Sequence, residues 1–254
     1  MIKIKTKAEI EKMRIAGSVL AEGLQLLNTK AQVGTNLLDL DQAFADFLKT
    51  KNCLPNFLGY QGFPKNICIS INDQLVHTIP QDRVILEGDL VSIDAGCMYQ
   101  GYNADAAFSK ICGEPKSKKD VILIEVTEKS LEMAINVVKP GARIGDIGAT
   151  IQNYVESFGF SVPRDYAGHG IGLDMHEDPF IPNYGTFNSG LRLREGMVIC
   201  IEPMVQQGSR FTKTGSDGWT VYSVDHQNSA HFEHTILVTK TGCEILTRNK
   251  GEKE

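Results

Sequence analysis

The sequence predicts an α+β chain built as two similar halves around a pseudo-twofold axis, with a site between them. Three observations carry this reading: a helix pair whose pattern returns 107 residues later, an apolar strand block that returns at 108, and a carboxylate that closes each copy of the block. A period this long excludes a solenoid, whose repeats run to roughly 20–50 residues. Helix and strand agreeing in the same order at nearly one offset mark an internal duplication. Two layered α+β units with a crevice between them follow from it.

Thr6 and Glu9 have the spacing of a capping box, and Ile10, Met13, Gly17, Leu20, Leu24 and Leu27 then share one helical face. A second helix opens near Thr35 with Leu37, Leu40, Phe44, Phe47 and Leu48 turned inward. Its pattern of Gly34, Leu37, Asp39, Leu40, Phe44 and Phe47 returns as Gly141, Ile144, Asp146, Ile147, Ile151 and Tyr154. A helix from about Lys118 to Val138, ended by Pro140 and Gly141, precedes the second copy as the first helix precedes the first.

Ile67, Ile69 and Ile71 alternate as a strand does. Glu87-Gly88-Asp89-Leu90-Val91-Ser92-Ile93-Asp94 aligns with Glu195-Gly196-Met197-Val198-Ile199-Cys200-Ile201-Glu202, and Gly59-Tyr60-Gln61-Gly62 aligns with Ala167-Gly168-His169-Gly170. Tyr99-Gln100-Gly101 reads as the tip of a hairpin joining the Asp94 strand to one that carries Asp105. The expected organisation is one domain across 1–254, with halves at about 6–110 and 115–240, no linker, and disorder confined to Lys250–Glu254.

A hydrophobic content of 42% over 254 residues is enough for a substantial core, and a formal charge of −5 declares no basic face for nucleic acid. Lys3, Lys5 and Lys7 are interrupted by Ile4 and Thr6 with no apolar stretch behind them, so no signal peptide is expected. No apolar run reaches membrane-spanning length. The six cysteines form no C-x-x-C pair and no disulfide framework, which points to free, buried thiols in a reducing cytoplasm.

Four carboxylates stand where folding alone would not put them: Asp94, Asp105, Glu202 and Glu233, each on a strand pattern among apolar or small neighbours. Alternation places Asp94 with Ser92 and Gly96, Asp105 with Asn103 and Ala107, Glu202 with Cys200, and Glu233 with His231 and Thr235. Buried carboxylates need a compensating charge, yet no Lys or Arg lies within two residues of any of them. One source of that charge is a set of distant arginines, Arg143, Arg164 or Arg194. The other is metal. His169, set among Gly168, Gly170 and Gly172, would complete an oxygen-rich site suited to Mn²⁺, Fe²⁺ or Co²⁺ and large enough for two ions.

Asp94, Asp105, His169, Glu202 and Glu233, in that order and in these contexts, resemble the metal ligands of the type I methionine aminopeptidases. The likeness spans nearly the whole chain. It includes Ser70-Ile71-Asn72 leading to Val76-His77-Thr78-Ile79-Pro80, Gly168-His169-Gly170-Ile171-Gly172, His176-Glu177-Asp178-Pro179, Glu202-Pro203-Met204 and Glu233-His234-Thr235. The resemblance implies the pita-bread fold, two pseudo-twofold halves around a central curved antiparallel sheet. Prolidases, creatinases and aminopeptidases P share that fold, usually with an added N-terminal domain for which this chain has no room. Thr78, where the family commonly has Gly, and Met175, where bacterial relatives often have an aromatic residue, depart from the pattern.

The resemblance further implies removal of the initiator methionine from nascent chains whose second residue is small, by a cytoplasmic monomer working near the ribosome, with neither a membrane nor a specific nucleic acid as partner. Asp94 and Asp105 would hold one divalent ion (Co, Mn, Fe or similar), His169 and Glu202 a second, with Asp105 and Glu233 shared and a hydroxide between the ions as nucleophile. Glu202 would also shuttle the proton to the leaving amine. His77 and His176 would contact the substrate backbone, and Tyr60, Cys68, Met175 and Trp219 would line the methionine pocket. His231 and His234 lie three apart on a strand and face opposite sides, so both are expected outside the metal shell. A proline-directed dipeptidase and a non-catalytic binding protein of the same fold are the competing readings. Loss of ligands would mark the second, but all five are present.

Overall fold

Thr6 opens the first helix as its spacing requires: its hydroxyl accepts the Glu9 N–H at 3.4 Å, and the Glu9 carboxylate accepts the Thr6 N–H at 2.6 Å. In the computed structural model, which describes residues 2–248, this helix, α1, runs Lys7–Lys30 and buries Met13, Gly17, Leu20, Leu24 and Leu27, with Ile10 partly buried. Helix α2, Leu37–Thr50, starts at Asn36, whose side chain accepts from the Leu38 N–H. Helix α3 spans Lys118–Asn136, beginning at Ser117 and stopping two residues short of the expected Val138. Helix α4, Ile144–Ser157, repeats α2 at both ends with the offset of 107.

The duplication extends to individual hydrogen bonds. Gly34 donates to the Ile85 carbonyl (2.8 Å) and Ile85 to Thr35 (2.9 Å); Gly141 donates to Leu193 (2.9 Å) and Leu193 to Ala142 (2.8 Å). Gly34 and Gly141 sit at φ of 86° and 91°, a left-handed conformation that glycine reaches without the Cβ clash other residues meet.

In the first half, strands Asp89–Tyr99 and Tyr102–Cys112 form a hairpin whose turn is Gln100-Gly101, at φ of 48° and 84°. Positive φ at both turn residues matches the right-handed twist of the strands, and Tyr99 is the last strand residue rather than part of the tip. Ile67–Ile71 pairs antiparallel with the Asp94 strand, and Leu54–Pro55 pairs with its far end. The second half holds an antiparallel sheet in the order Cys243–Ile245, His234–Val238, Val198–Ile201, Ala167–Gly170, Glu177–Pro182.

Each sheet turns one face to its own helices. Ile93, Ala95, Cys97, Ala104 and Ala106 pack with α1 and α2; Ile199, Ile201, Ile236 and Val238 pack with α3 and α4. Period-two alternation therefore sends Ser92, Asp94, Asp105, Cys200 and Glu202 to the opposite faces. The two sheets join where Ala107 donates to the Glu233 carbonyl at 3.3 Å and Glu233 donates to the Ala107 carbonyl at 3.0 Å. Asp105 lies beside this junction, its N–H donating to Thr235 Oγ1 (2.9 Å) and its carbonyl accepting from the same hydroxyl (2.8 Å).

Strand register corrects one alignment read from the sequence. Gly170 stands opposite Ile199, as Ile71 stands opposite Val91, the counterpart of Ile199 at an offset of 108. The structural mate of the His169 strand is thus Ile67–Ile71, and the residue matching His169 is Ser70, not Gln61. Gly59-Tyr60-Gln61-Gly62 instead forms a tight turn with positive φ at Gly59, Gln61 and Gly62. Small residues recur in both places for different reasons. In the turn they supply the left-handed conformation; in the strand they allow close approach, since a Cβ at Gly168 would lie 2.2 Å from the Cys200 carbonyl oxygen.

Among the described residues no cysteine is bonded to another, and all but the half-buried Cys243 are buried. No helix there is long and apolar enough to cross a membrane. The disorder expected at Lys250–Glu254 falls outside the described residues.

A candidate metal centre between the two halves

A cavity of about 560 Å³ opens onto the inner faces of the sheets, lined at its floor by Asp94, Asp105, His169, Glu202 and Glu233. The five residues come from five different strand segments. Asp94 and Asp105 face each other across the first hairpin, where Gly96 is the partner of Asp105. Glu202 follows strand Val198–Ile201, Glu233 precedes His234–Val238, and His169 lies on Ala167–Gly170.

Burial dominates the electrostatics of this floor. It raises the Asp94 carboxyl to about 6 and lifts Asp105, Glu202 and Glu233 well above the ordinary carboxylate range, and repulsion from neighbouring acids adds to the rise at these last three. The arginine alternative fails: among the described residues none of the four pairs with Lys or Arg. Arg143 donates to the Gly190 carbonyl, and Arg164 lies 3.7 Å from Glu156 and over the Tyr184 ring.

Asp94 Oδ1, Asp105 Oδ1 and Glu233 Oε1 are buried without a hydrogen-bond partner. Orphaned oxygens on several converging acids are what a cation would satisfy. Asp94, Asp105 and Glu233 bring one oxygen each within 4.8 Å of one another. Glu202 Oε1 lies 3.7 Å from His169 Nε2. The His169 Nδ1 lies 2.9 Å from the Gly170 carbonyl oxygen, which can only accept, so Nδ1 carries the proton and Nε2 offers its lone pair to the site. Burial lowers the His169 pKa to about 3, which keeps that lone pair free. The donor set fits a divalent cation.

Histidines also stand on the cavity walls. His176 lies over His169, ring centroids 4.1 Å apart, and its Nδ1 is 2.8 Å from the Tyr60 hydroxyl. His77, at a left-handed φ of 59°, packs edge-on to Tyr166 at 5.8 Å. Both rings open to the cavity yet are ringed by protein, and burial lowers their pKa, that of His77 to about 4. His234 turns away, with Nδ1 2.9 Å from Thr247 Oγ1. His231 does not. Its Nε2 stands 3.6 Å from Glu202 and 3.9 Å from Glu233, beside two of the candidate ligands.

The apolar end of the cavity gathers Tyr60, Cys68, Met175 and Trp219 into one cluster with Phe57, Phe63 and Ile79. Trp219 meets Phe63 edge-on at 5.1 Å, and Asp217 fixes the loop behind it by accepting the Trp219 and Thr220 N–H groups at 2.9 Å. Cys68 faces Asp94 across the strands, and burial pushes its thiol well up, which makes it a packing group rather than a nucleophile. Thr78 is buried, its Oγ1 accepting from Ser70 Oγ at 3.0 Å. The sequence reading missed Phe57, Phe63 and Tyr166. The first two flank the glycine turn that carries Tyr60, the one local hint available.

Comparison with known proteins places this geometry. The family model described as metallopeptidase family M24 matches residues 11–240. A methionine aminopeptidase of Mycoplasma capricolum subsp. capricolum is 64% identical over 250 residues, covering 98% of this chain and 100% of the relative. Methionine aminopeptidase 1 of Bacillus subtilis is 48% identical over 248 residues, with 98% and 100% covered. The crystal structure of methionine aminopeptidase from Thermotoga maritima matches with a TM-score of 0.96 at 46% identity, over 98% of this chain and 100% of that one. Prolidase from Pyrococcus furiosus matches at 0.78 and 24% identity over 97% of this chain and 66% of its own, a likeness of fold alone.

Proposed function

The chain belongs to metallopeptidase family M24 as a type I methionine aminopeptidase that releases N-terminal methionine with divalent metal, and we propose that the inward carboxylates and His169 do so with two ions. The observation that carries the reading is the set of four buried or half-buried carboxylates with no Lys or Arg partner among the described residues, converging with a lone-pair nitrogen on one cavity floor.

Asp94 and Asp105 would hold one ion and His169 and Glu202 the other, with Asp105 and Glu233 serving both. Bound there, Co²⁺, Mn²⁺ or Fe²⁺ would supply a nucleophilic water near neutral pH, a Lewis acid for the scissile carbonyl and an anchor for the free α-amino group. Dependence on that amine limits the enzyme to chain ends. Glu202, whose proton affinity is raised by burial and by Asp94, carries the proton to the leaving amine. His176, held by Tyr60, and His77, held against Tyr166, reach the peptide carbonyl as charge accumulates on its oxygen.

Tyr60, Cys68, Met175 and Trp219, with Phe57 and Phe63, take the methionine side chain. Aromatic edges and sulfur suit a thioether. The second residue then lies at the cavity mouth, where bulk would displace the carbonyl; a misplacement of about 1 Å costs on the order of a hundredfold in rate. The substrates are nascent polypeptide N-termini, met near the ribosome by a cytoplasmic monomer.

The test is an assay of Met-Ala-Ser, Met-Lys-Ser and Xaa-Pro peptides after the metal has been removed and Mn²⁺, Fe²⁺ or Co²⁺ restored separately. Release of methionine from Met-Ala-Ser alone, with two ions bound per chain, is expected. Equal rates on Met-Lys-Ser would overturn the pocket assignment, and preferred cleavage of Xaa-Pro would point to a proline-directed dipeptidase.

A further inference from the structure

His231 lies behind the cavity floor and has no part in the reaction as described above. Its place in the duplication is telling. Gly96 is the strand partner of Asp105; at an offset of 108 Gly96 becomes Met204, and the strand partner of Met204 is His231. His231 therefore occupies, in the second half, the position that Asp105 occupies in the first.

The residue is 1% exposed, and its Nε2 is buried with no hydrogen-bond partner. That nitrogen stands 3.6 Å from Glu202 Oε2 and 3.9 Å from Glu233 Oε2. The other oxygen of Glu202 faces His169 at 3.7 Å. One carboxylate thus lies between two imidazoles, one opposite each oxygen. The backbone of His231 is fixed on both sides by Ser109, whose Oγ accepts the His231 N–H at 2.9 Å and donates to the His231 carbonyl at 2.8 Å.

We propose that His231 is a positioning residue of the metal centre: its Nε2–H donates to Glu202 Oε2 and turns Oε1 toward the ion shared with His169. An ion between Oε1 and His169 leaves Oε2 as the outer oxygen, and metal-bound carboxylates are oriented by such outer hydrogen bonds. The present 3.6 Å gap closes to hydrogen-bond length with a shift of about half an ångström. Glu233 Oε2 lies slightly farther off, at 3.9 Å. The role rests on the two-ion reading above, and the experiment separates the two.

Mn²⁺ is titrated calorimetrically into metal-stripped wild type, His231→Ala and His231→Gln, and visible spectra are taken of the Co²⁺-loaded forms. Loss of the donor in His231→Ala should weaken one ion by about 10–100-fold and alter the Co²⁺ spectrum, with kcat falling more than KM rises. His231→Gln presents an amide N–H from the same backbone and should restore affinity to within a few-fold. Wild-type affinity in His231→Ala would overturn the role. So would a Gln variant as impaired as Ala, since the ion itself would then need the imidazole. A wild type that takes up no divalent ion would overturn the metal centre and this role with it.

Discussion

The two halves share their outer layers and differ on their inner faces. Helices α2 and α4 have the same length at a fixed offset, and the turns before them carry matching hydrogen bonds. Across the inner face the pairs diverge: Asp94 answers Glu202, but Ser70 answers His169, Asp105 answers His231, and Ala107 answers Glu233. The hairpin loops diverge too, with two residues at Gln100-Gly101 against the long segment between Gln206 and Ser229 that carries Trp219. Positions whose task is packing tolerate only like for like, whereas positions facing the cavity are free to specialise. The duplication built a symmetric cradle, and the chemistry lies in its departures from symmetry.

The sharpest way to break that comparison is to alter the specialised member of each pair. His169→Ala and Glu202→Gln should each lower kcat by about a thousandfold or more, exceeding the roughly 10²–10³ that loss of one transition-state hydrogen-bond donor costs. Steady-state kinetics of folded, metal-analysed protein decide this, and near-wild-type turnover in either variant would dissolve the asymmetry.

Next in size is His176→Ala, expected to lower kcat by about a hundredfold while metal content stays at the wild-type level, because the ring meets the substrate and not the ions. Elemental analysis beside kinetics would expose the opposite case, a variant that loses metal.

Removing the metal should make the shared floor visible as a pH dependence. A carboxyl whose folded pKa exceeds its unfolded value binds more protons when folded, so the metal-free protein loses stability as pH rises through that window. For Asp94 the window runs from its ordinary 3.8 to about 6, and Asp105, Glu202 and Glu233 are shifted in the same direction. Thermal melts of the stripped protein should therefore fall between about pH 4 and 6, and added Mn²⁺ should raise the melting temperature and flatten the trend. A stripped protein whose stability rises with pH over that range would contradict the raised carboxyls.

The smallest effect belongs to Ser70→Ala, the mirror of His169→Ala. It removes a buried hydrogen bond to Thr78 worth about 1 kcal/mol, or roughly 2–4 °C in melting temperature for a chain of this size, and should leave kcat unchanged. A kinetic defect there would show that the first half takes more part in the chemistry than its residues suggest.

What could be read from the sequence follows the same division. Helix periodicity, the glycines before α2 and α4, and carboxylates set among apolar or small strand neighbours are local patterns, and the last of these reveals Asp94, Asp105, Glu202 and Glu233; His169 stands out only by the glycines around it and by the family resemblance. The partner of His169 was not legible, because strand register depends on connections whose lengths differ between halves; the offset shifts from 108 to 99 at Ile71 and Gly170. Alternation set His231 beside Glu233 and His234 on the other side, as the structure has them, but could not show its nearness to Glu202, which comes from another strand. Phe57 and Phe63 were marked only by the glycine turn they flank and Tyr166 by nothing, since wall residues on irregular loops have no period to reveal them.

The exchange of backbone hydrogen bonds between Ala107 and Glu233 also has a meaning in time. Strand Tyr102–Cys112 lies at the margin of the first sheet until Glu233 arrives, and a ribosome delivers the 120 residues between Cys112 and Glu233 only after that strand has emerged. At about 5–20 residues per second the margin stays open for roughly 6–25 seconds, with its N–H and C=O groups bare and able to template pairing with another chain. Synthesis, rather than the finished fold, is where this protein is most exposed to aggregation, and the hazard ends when the second half closes over the first.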